Sequence, residues 1–300
     1  MNQRQPIKAT VAYPSSSLLG EGPVWHEARK SFFWVDIEGR CFHEMKWPGK
    51  TLRTWPVPQR IGMLTPDKNN DTDLIIALQD GIARFNLDTA QLQWLVHIEK
   101  EIETNRPNDG KCDALGRLWL GTMDVDCRDS AGSLYCIDQD TRVETKLNGI
   151  SISNGLAWSP DNKRLYFIDS PTNKVNSYLF DLETGEITFE KTAITIPADM
   201  GMPDGMSIDM DGMLWIANWD GFSVCRWDPH TGDLLDTISI PAPQVTSCAF
   251  GGEQMNELLI TTAKVGLSDE KLLQYPLSGH VFIANIYTRG IATNKFHQNL

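Results

Sequence analysis

Three polar side chains, each followed at once by a glycine, carry oxygen atoms suited to binding a metal ion. They are Glu21, Asn154 and Asp204. Two carboxylates and one amide oxygen form an open ligand set for a hard or borderline divalent cation, with positions left for water or substrate. The sequence therefore predicts one divalent ion at these residues, with calcium, zinc, manganese, magnesium and iron(II) all left open.

The residue-plus-glycine pair recurs along the chain at an interval typical of a β-propeller. Gly110, Gly155 and Gly205 follow one another at about 45 to 50 residues, and the longer gap after Gly22 leaves room for one degenerate unit. That unit runs from about Ile61 to His97, and a sixth starts near residue 247. The pattern predicts an all-β, six-bladed propeller that forms one domain over residues 1–300.

Each unit is expected to hold four short strands separated by turns. Around Asn154 the predicted strands are Gly155–Ser159, Arg164–Asp169, Lys174–Asp181 and a fourth near Ile187–Thr192. Asp-Asn and Asp-Gly pairs between apolar runs favour hairpins because these residues tolerate positive φ. A short strand at Ile7–Tyr13 is expected to join the last blade and close the ring, which leaves no open sheet edge.

A propeller brings its repeated positions together, because the residue that begins each innermost strand lies at one mouth of the channel. Glu21, Asn154 and Asp204 would therefore converge there, with Asp204 as the candidate general base for an attacking water. The alternative is that all three residues are turn-formers, although Glu is a poor one. Asn108 lies one residue before the equivalent place in its own unit and is a candidate fourth oxygen ligand. Trp219 follows a strand end and either lines the mouth or packs within a blade.

Four segments in order resemble the regucalcin, gluconolactonase and luciferin-regenerating enzyme family. They are LLGEGPVWH, RPNDGKCDALGRLWLGTMD, SNGLAWSPDNKRLYFID and PDGMSIDMDGMLWIAN, within a similarity from about Leu18 to Ile283. The resemblance implies a six-bladed propeller with a divalent metal at the channel mouth and hydrolysis of sugar lactones. Its metal ligands would fall on Glu21, Asn154 and Asp204.

The resemblance also implies substrate-binding residues. Arg106 and Asn108 occupy the family's substrate-contact positions, and Asp126 occupies a further acidic position that is often Glu in regucalcins. Aspartate is one methylene shorter, which reduces its reach to a substrate hydroxyl. The expected partner is a small sugar lactone.

Composition argues against several other classes of partner. With 27 basic and 39 acidic residues the net charge is −12, which disfavours nucleic acid and an anionic membrane surface. No apolar run approaches the length of a spanning helix, and the N-terminus lacks the apolar stretch of a secretory signal. Six scattered cysteines without a Cys-x-x-Cys pair indicate free thiols in a reducing compartment, so a cytoplasmic protein is expected.

The favoured function is divalent-metal-dependent hydrolysis of an aldonolactone, such as gluconolactone or a pentonolactone, to the free acid. In this reaction the metal would polarise the lactone carbonyl. Two alternatives stay open: an organophosphate or aryl-ester hydrolase that uses the same metal site, and a calcium-binding or scaffold propeller without an enzymatic role.

Overall fold

The computed structural model describes residues 7–299 and consists mainly of short antiparallel strands. Within these residues, 24 strands form six sheets of four strands each. The strands are β1 Ala9–Tyr13, β2 Gly20–His26, β3 Ser31–Asp36, β4 Cys41–Lys46, β5 Leu52–Pro56, β6 Ile61–Pro66, β7 Asp73–Leu78, β8 Gly81–Asn86, β9 Leu92–His97, β10 Asn105–Cys112, β11 Leu118–Asp124, β12 Gly132–Ile137, β13 Val143–Ile150, β14 Ser153–Trp158, β15 Arg164–Asp169, β16 Lys174–Phe180, β17 Ile187–Thr195, β18 Met202–Ile208, β19 Leu214–Trp219, β20 Ser223–Trp227, β21 Leu234–Ser239, β22 Val245–Gly251, β23 Glu257–Thr262 and β24 Val281–Asn285.

The six sheets are arranged as blades around one axis. Blades 1 to 5 contain β2–β5, β6–β9, β10–β13, β14–β17 and β18–β21, and blade 6 contains β22–β24 together with β1. The first strand of every blade contacts the first strand of the next, and β22 contacts β2 to complete the circle. The predicted six-bladed propeller is therefore confirmed.

The N-terminal strand closes the ring. β1 pairs antiparallel with β24, so that Ala9 lies opposite Ala284 and Thr10 opposite Ile283. Both ends of the chain thus contribute to blade 6, as the sequence predicts. The pairing covers the β24 edge, which would otherwise expose unpaired backbone groups.

Each innermost strand is irregular at the place where five of the six blades carry a residue-plus-glycine pair. Strand pairing shifts register in all six of these strands. A Cβ atom added at Gly62 would lie 2.5 Å from the Pro107 carbonyl oxygen, and one at Gly155 would lie 2.9 Å from the Asp204 carbonyl oxygen. Glycine is required because neighbouring inner strands approach closely around the axis.

Large aromatic side chains fill the space between blades. Trp34, Trp119, Tyr166 and Trp215 are each at most 2% exposed and lie on the second strands of their blades. Their positions, about ten residues after the glycines, reflect one hairpin turn and the return of the chain into the core. The tight packing between blades fixes the positions of the inner strands.

Among residues 7–299, helical structure consists of one short α-helix and two 3₁₀ turns. The helix α1 covers Asp269–Gln274, and the 3₁₀ turns cover Ser170–Thr172 and Ala198–Met200. Within residues 7–299, none of these helices has the length and apolar character needed to cross a membrane.

Candidate functional site

A cavity of about 330 Å³ opens at one end of the central channel. We call it the mouth cavity. First strands begin at this end and second strands finish there, because the two strands of each blade are antiparallel. Its polar lining consists of Glu21, Glu38, Arg106, Asn108, Asn154, Ser170 and Asp204. The rest of the wall is apolar and includes Leu19, Met123, Ile152, Met202 and Trp219.

Two carboxyl groups meet at the floor of this cavity. Glu21 and Asp204 are 7% and 5% exposed, and their side chains lie within hydrogen-bonding reach of each other. One Glu21 carboxylate oxygen, Oε2, accepts a hydrogen bond from the Gly22 amide at 2.8 Å. The buried Asp204 Oδ1 has no hydrogen-bond partner among the described residues.

Burial raises the pKa of both carboxyl groups above their ordinary values. Neighbouring negative charge adds to this effect: Asp109 raises the pKa of Glu21, and Glu21 followed by Asp109 raises that of Asp204. Close, desolvated carboxylates repel each other unless a cation or a proton lies between them. The pair is therefore suited to a cation.

An amide network fixes the orientation of Asn154 beside the two carboxyls. Asn154 donates through Nδ2 to Ser170 Oγ at 2.9 Å, and its Oδ1 accepts from Asn108 Nδ2 at 2.8 Å. Asn108 Nδ2 also donates to the Ser153 carbonyl oxygen at 2.8 Å. A carbonyl oxygen has two lone pairs, so Asn154 Oδ1 retains one acceptor site for a further partner.

The donor chemistry of this cluster fits a divalent ion. Two buried carboxylates and an oriented amide oxygen are hard ligands, and the unpartnered Asp204 Oδ1 is an open one. Within residues 7–299, no group of three or more His, Cys, Asp or Glu side chains forms a metal site. A site here would thus depend on the amide of Asn154 as its third protein ligand.

Arg106 brings a buried positive charge to the same cavity. It is 7% exposed, and its Nη1 donates to the Pro107 carbonyl oxygen at 3.0 Å and to Asn108 Oδ1 at 2.6 Å. Its Nε and Nη2 make no hydrogen bond with the described residues. Burial lowers the pKa of Arg106, while nearby carboxylates, first Glu38 and then Glu21, oppose that effect. The guanidinium therefore has free donors for a ligand.

A third carboxyl group, Asp109, lines a separate lower cavity of about 200 Å³ further along the channel. Its Oδ1 accepts from the Gly110 amide at 2.7 Å, whereas the buried Oδ2 has no partner among the described residues. Half-buried Lys111 lines the same cavity and donates to the Met206 carbonyl oxygen. Burial raises the pKa of Asp109 and lowers that of Lys111.

The sequence-predicted residues separate into two groups in the structure. Glu21, Arg106, Asn108, Asn154 and Asp204 all line the mouth cavity. Asp126 is exposed and does not line it, although its neighbours Val125 and Cys127 do. The backbone amide of Asp126 donates to Asp124 Oδ1 at 2.8 Å, which fixes this turn. Trp219, for which the sequence left two interpretations, lines the cavity.

Comparison with known proteins assigns the chain to a family. Residues 19–264 match the model of the SMP-30/Gluconolactonase/LRE-like region. The chain belongs to this SMP-30/gluconolactonase/LRE-like family. The matched region includes all five predicted residues that line the mouth cavity. Membership of this family supports the hydrolysis of sugar lactones in general terms.

Relatives in this family span almost the whole chain. Rabbit (Oryctolagus cuniculus) regucalcin is 33% identical over 95% of this chain and 97% of its own length. The "Putative sugar lactone lactonase YvrE" of Bacillus subtilis is also 33% identical over 95% of this chain and 97% of its own length. The crystal structure of a calcium-binding protein, regucalcin from Agrobacterium tumefaciens, is 29% identical with a TM-score of 0.92. It covers 97% of this chain and 98% of its own.

Glu38 lines the mouth cavity but was not among the residues predicted from sequence. It lies in the turn between β3 and β4, where no motif distinguishes it from an ordinary turn acid. The sequence feature that could have identified Glu38 is its position after a second strand. Residues that directly follow second strands return to the mouth, and Ser170 and Val125 line the cavity for the same reason. Every polar residue at such a place was a candidate.

Proposed function

We propose that this protein hydrolyses a sugar-acid lactone at the mouth cavity, with one divalent ion held by Glu21, Asn154 and Asp204. The observation that carries the proposal is the pair of buried carboxyls beside an oriented amide, with Asp204 Oδ1 unpartnered. Family membership supports the lactonase chemistry. A deep cavity, rather than a flat face, favours a small-molecule enzyme over a scaffold.

The types of ligand at this site indicate a class of divalent ions and do not select one member of it. Carboxylate and amide oxygens suit calcium, magnesium and manganese, and they also accept zinc and iron(II). The calcium-binding description of the Agrobacterium regucalcin makes calcium a first choice for testing. When bound, the ion would polarise the lactone carbonyl and stabilise negative charge developing on its oxygen.

Asp204 is the proposed general base. Its Oδ1 is buried, faces the cavity cluster and has no protein hydrogen bond to compete with an incoming water. A carboxylate whose pKa is raised by burial is a stronger base than one in solvent. Proton transfer from water to the Asp204 carboxylate would accompany attack on the lactone carbon. Return of that proton to the ring oxygen as its bond to the carbonyl carbon breaks would open the ring and give the free aldonate.

Arg106 and Asn108 are proposed to orient the lactone. The free Nε and Nη2 donors of Arg106 can bind ring or hydroxyl oxygens of the substrate. Asn108 has both Nδ2 hydrogens committed to Asn154 and Ser153, so its direct contribution is limited to the second lone pair of Oδ1. Its main contribution would be to hold Arg106 and Asn154 in place.

A substrate panel tests the reaction class. Initial rates on glucono-, xylono- and arabinonolactones would be compared with rates on a phosphotriester and an aryl ester, after subtraction of spontaneous lactone opening. The proposal expects kcat/KM to be highest for one of the aldonolactones. Equal or greater efficiency on the phosphotriester would favour the alternative hydrolase, and no hydrolysis of any compound would favour a binding protein.

A further inference from the structure

Glu38 is an acidic side chain at the rim of the mouth cavity. Its side chain is 30% exposed and lines the cavity. One of its carboxylate oxygens, Oε1, accepts from Arg60 Nε at 2.9 Å. The other, Oε2, has no hydrogen-bond partner among the described residues. One oxygen is therefore fixed by the protein, and the second is available to a ligand.

The turn that carries Glu38 is held in place by Asp36. Asp36 Oδ1 accepts from the Gly39 amide at 2.9 Å and from the Leu19 amide at 3.0 Å, and Oδ2 accepts from the Leu18 amide at 2.9 Å. The same carboxylate therefore fixes both the turn and the neighbouring wall residue Leu19. A group positioned in this way loses little conformational entropy when it binds a ligand.

Glu38 and Arg106 lie on the same cavity with opposite hydrogen-bonding character. Glu38 makes the largest charge contribution to the pKa of Arg106, yet no direct ion pair joins the two side chains. Glu38 offers only acceptors, and the free Arg106 nitrogens offer only donors. A hydroxyl between them can donate to Glu38 and accept from Arg106 at the same time.

Few other polar groups on this wall can recognise hydroxyls. Asn108 has both amide hydrogens committed, Ser170 Oγ accepts from Asn154, and Asp126 lies outside the cavity. The remaining wall is largely apolar. The cavity therefore offers one charged donor–acceptor pair in addition to Glu21, Asn154 and Asp204.

We propose that Glu38, together with Arg106, selects lactones that carry a hydroxyl group at the position between them. This inference rests on the proposed lactonase function and specifies its substrate recognition. A site built to hydrogen-bond a hydroxyl leaves its polar groups unpaired when that hydroxyl is missing, and so rejects the deoxygenated analogue. Selection by Glu38 thus predicts a preference for hydroxylated over unsubstituted lactones.

The test compares hydrolysis of D-glucono-δ-lactone with that of δ-valerolactone, which has no hydroxyl group. In Glu38→Gln, the ratio of the two kcat/KM values is expected to fall about 10- to 100-fold, because a charge-assisted hydrogen bond is lost. Glu38→Ala should show at least the same fall. Glu27→Gln is the matched control, since Glu27 is exposed on the opposite turn of the same blade, and its ratio should equal that of the wild type.

Two results with these substrates would overturn the inference. One is an unchanged ratio of the two kcat/KM values in Glu38→Gln, whether both values stay the same or both fall equally. The other is a loss of selectivity in Asp126→Asn without any loss in Glu38→Gln. That result would assign recognition of the substrate hydroxyl to Asp126.

A binding measurement separates this inference from the lactonase proposal. 1,5-Anhydro-D-glucitol has a pyranose ring with hydroxyls and no lactone carbonyl. Titration calorimetry should show weaker binding to Glu38→Gln than to wild type. If the wild type hydrolyses no lactone but this difference is found, the lactonase proposal fails and the hydroxyl-reading role stands. Equal binding to both proteins, or no binding to either, contradicts that role.

Discussion

At the scale of single residues, the site depends on polar atoms that the protein leaves unpaired or orients for a ligand. Asp204 Oδ1 has no partner, Asn154 is fixed by two hydrogen bonds, and Arg106 keeps two nitrogens free. A buried polar group without a partner destabilises a fold, so Asp204 Oδ1, beside an oriented amide and free guanidinium donors, indicates a functional role for this cavity. Asn108 connects them, since it contacts both Asn154 and Arg106.

Replacing Asn108 tests this connecting role. Asn108→Leu removes both Nδ2 donors and leaves Asn154 Oδ1 and the Ser153 carbonyl without that partner. We expect the free energy of unfolding to fall by about 1–3 kcal/mol, measured by urea denaturation, with a loss of kcat/KM as well. Asn148→Leu, on an exposed outer strand, is the control and should change stability by about 0.5 kcal/mol or less. Equal stability of the two variants would show that the network is not required.

His26 predicts how stability depends on pH. Burial, reinforced by Lys295, lowers its pKa to about 4, and neither ring nitrogen has a hydrogen-bond partner among the described residues. The unfolded chain binds the proton near pH 6.5, but the folded protein does so only near pH 4. Stability contributed by this histidine is therefore present above pH 6.5 and is lost as pH falls from 6.5 to 4.

Thermal and urea unfolding of His26→Phe between pH 7 and 4 would measure this effect. The wild type should lose about 3 kcal/mol more than His26→Phe over that interval. His230→Gln changes an exposed histidine and should follow the wild-type curve. Parallel curves for wild type and His26→Phe would refute the assignment.

At the scale of strands, the glycine of each residue-plus-glycine pair serves packing, and the preceding residue serves the site. Gly62 shows the packing role alone, because the residue before it, Ile61, is apolar and fully buried. A Cβ atom added at Gly62 would meet the carbonyl oxygens of Pro107 and Asn108 in the next blade. This contact fixes the backbone on either side of Asn108.

Gly62→Ala tests that contact. The added methyl group would lie 2.5 Å from the Pro107 carbonyl oxygen, so the backbone must shift. We expect a loss of about 1–3 kcal/mol in the free energy of unfolding, together with a higher KM through displacement of Arg106. Gly49→Ala is the control, because a Cβ atom there meets nothing within 4 Å. Similar stability and KM for both variants would rule out close strand approach as the reason for glycine.

Strand positions were largely predictable from sequence. Arg164–Asp169 was predicted with its observed bounds, and Lys174–Asp181 and Ile187–Thr192 differ from the observed strands by one and three residues at one end. The first strand of that blade begins at Ser153 rather than Gly155, because Asn154 pairs with Ile168 before the bulge. Local turn chemistry fixes hairpins, whereas pairing across a bulge depends on the partner strand.

The site was only partly predictable. Glu21, Asn154 and Asp204 share a repeat position, so symmetry alone brings them together. Glu38 does not occupy a repeated position. Its orientation depends on the contacts of Asp36 and on Arg60 in the loop that leads into blade 2. The exposed position of Asp126 likewise follows from the shape of one turn, which the sequence does not encode in a recognisable motif.

At the scale of the whole molecule, the ring must stay closed for the inner strands to converge. β1 supplies this closure by pairing with β24, and Ala12 is buried at 4% exposure in the apolar cluster between blades 6 and 1. Five of the predicted site residues come from four different blades. Any opening of the ring would therefore separate Glu21 in blade 1 from Asp204 in blade 5.

Ala12→Asp tests the closure. A buried, unpaired carboxylate on β1 should lower the free energy of unfolding by about 3 kcal/mol or more and reduce catalytic activity in parallel. Thr10→Asp places the same charge on an exposed position of the same strand and serves as the control. Indistinguishable melting temperatures of the two variants would contradict a structural role for the closing strand.

We propose that a divalent ion at Glu21, Asn154 and Asp204 supports lactone hydrolysis. The most direct measurement is the initial rate on an aldonolactone, with chelated protein and with each divalent ion restored, for wild type, Asp204→Asn and the exposed control Asp199→Asn. Chelation should abolish wild-type and control activity, and one of the ions should restore it. Asp204→Asn should remain at least about 100-fold slower under all conditions. Undiminished hydrolysis by chelated wild type and by Asp204→Asn would show that hydrolysis requires neither the ion nor this carboxylate.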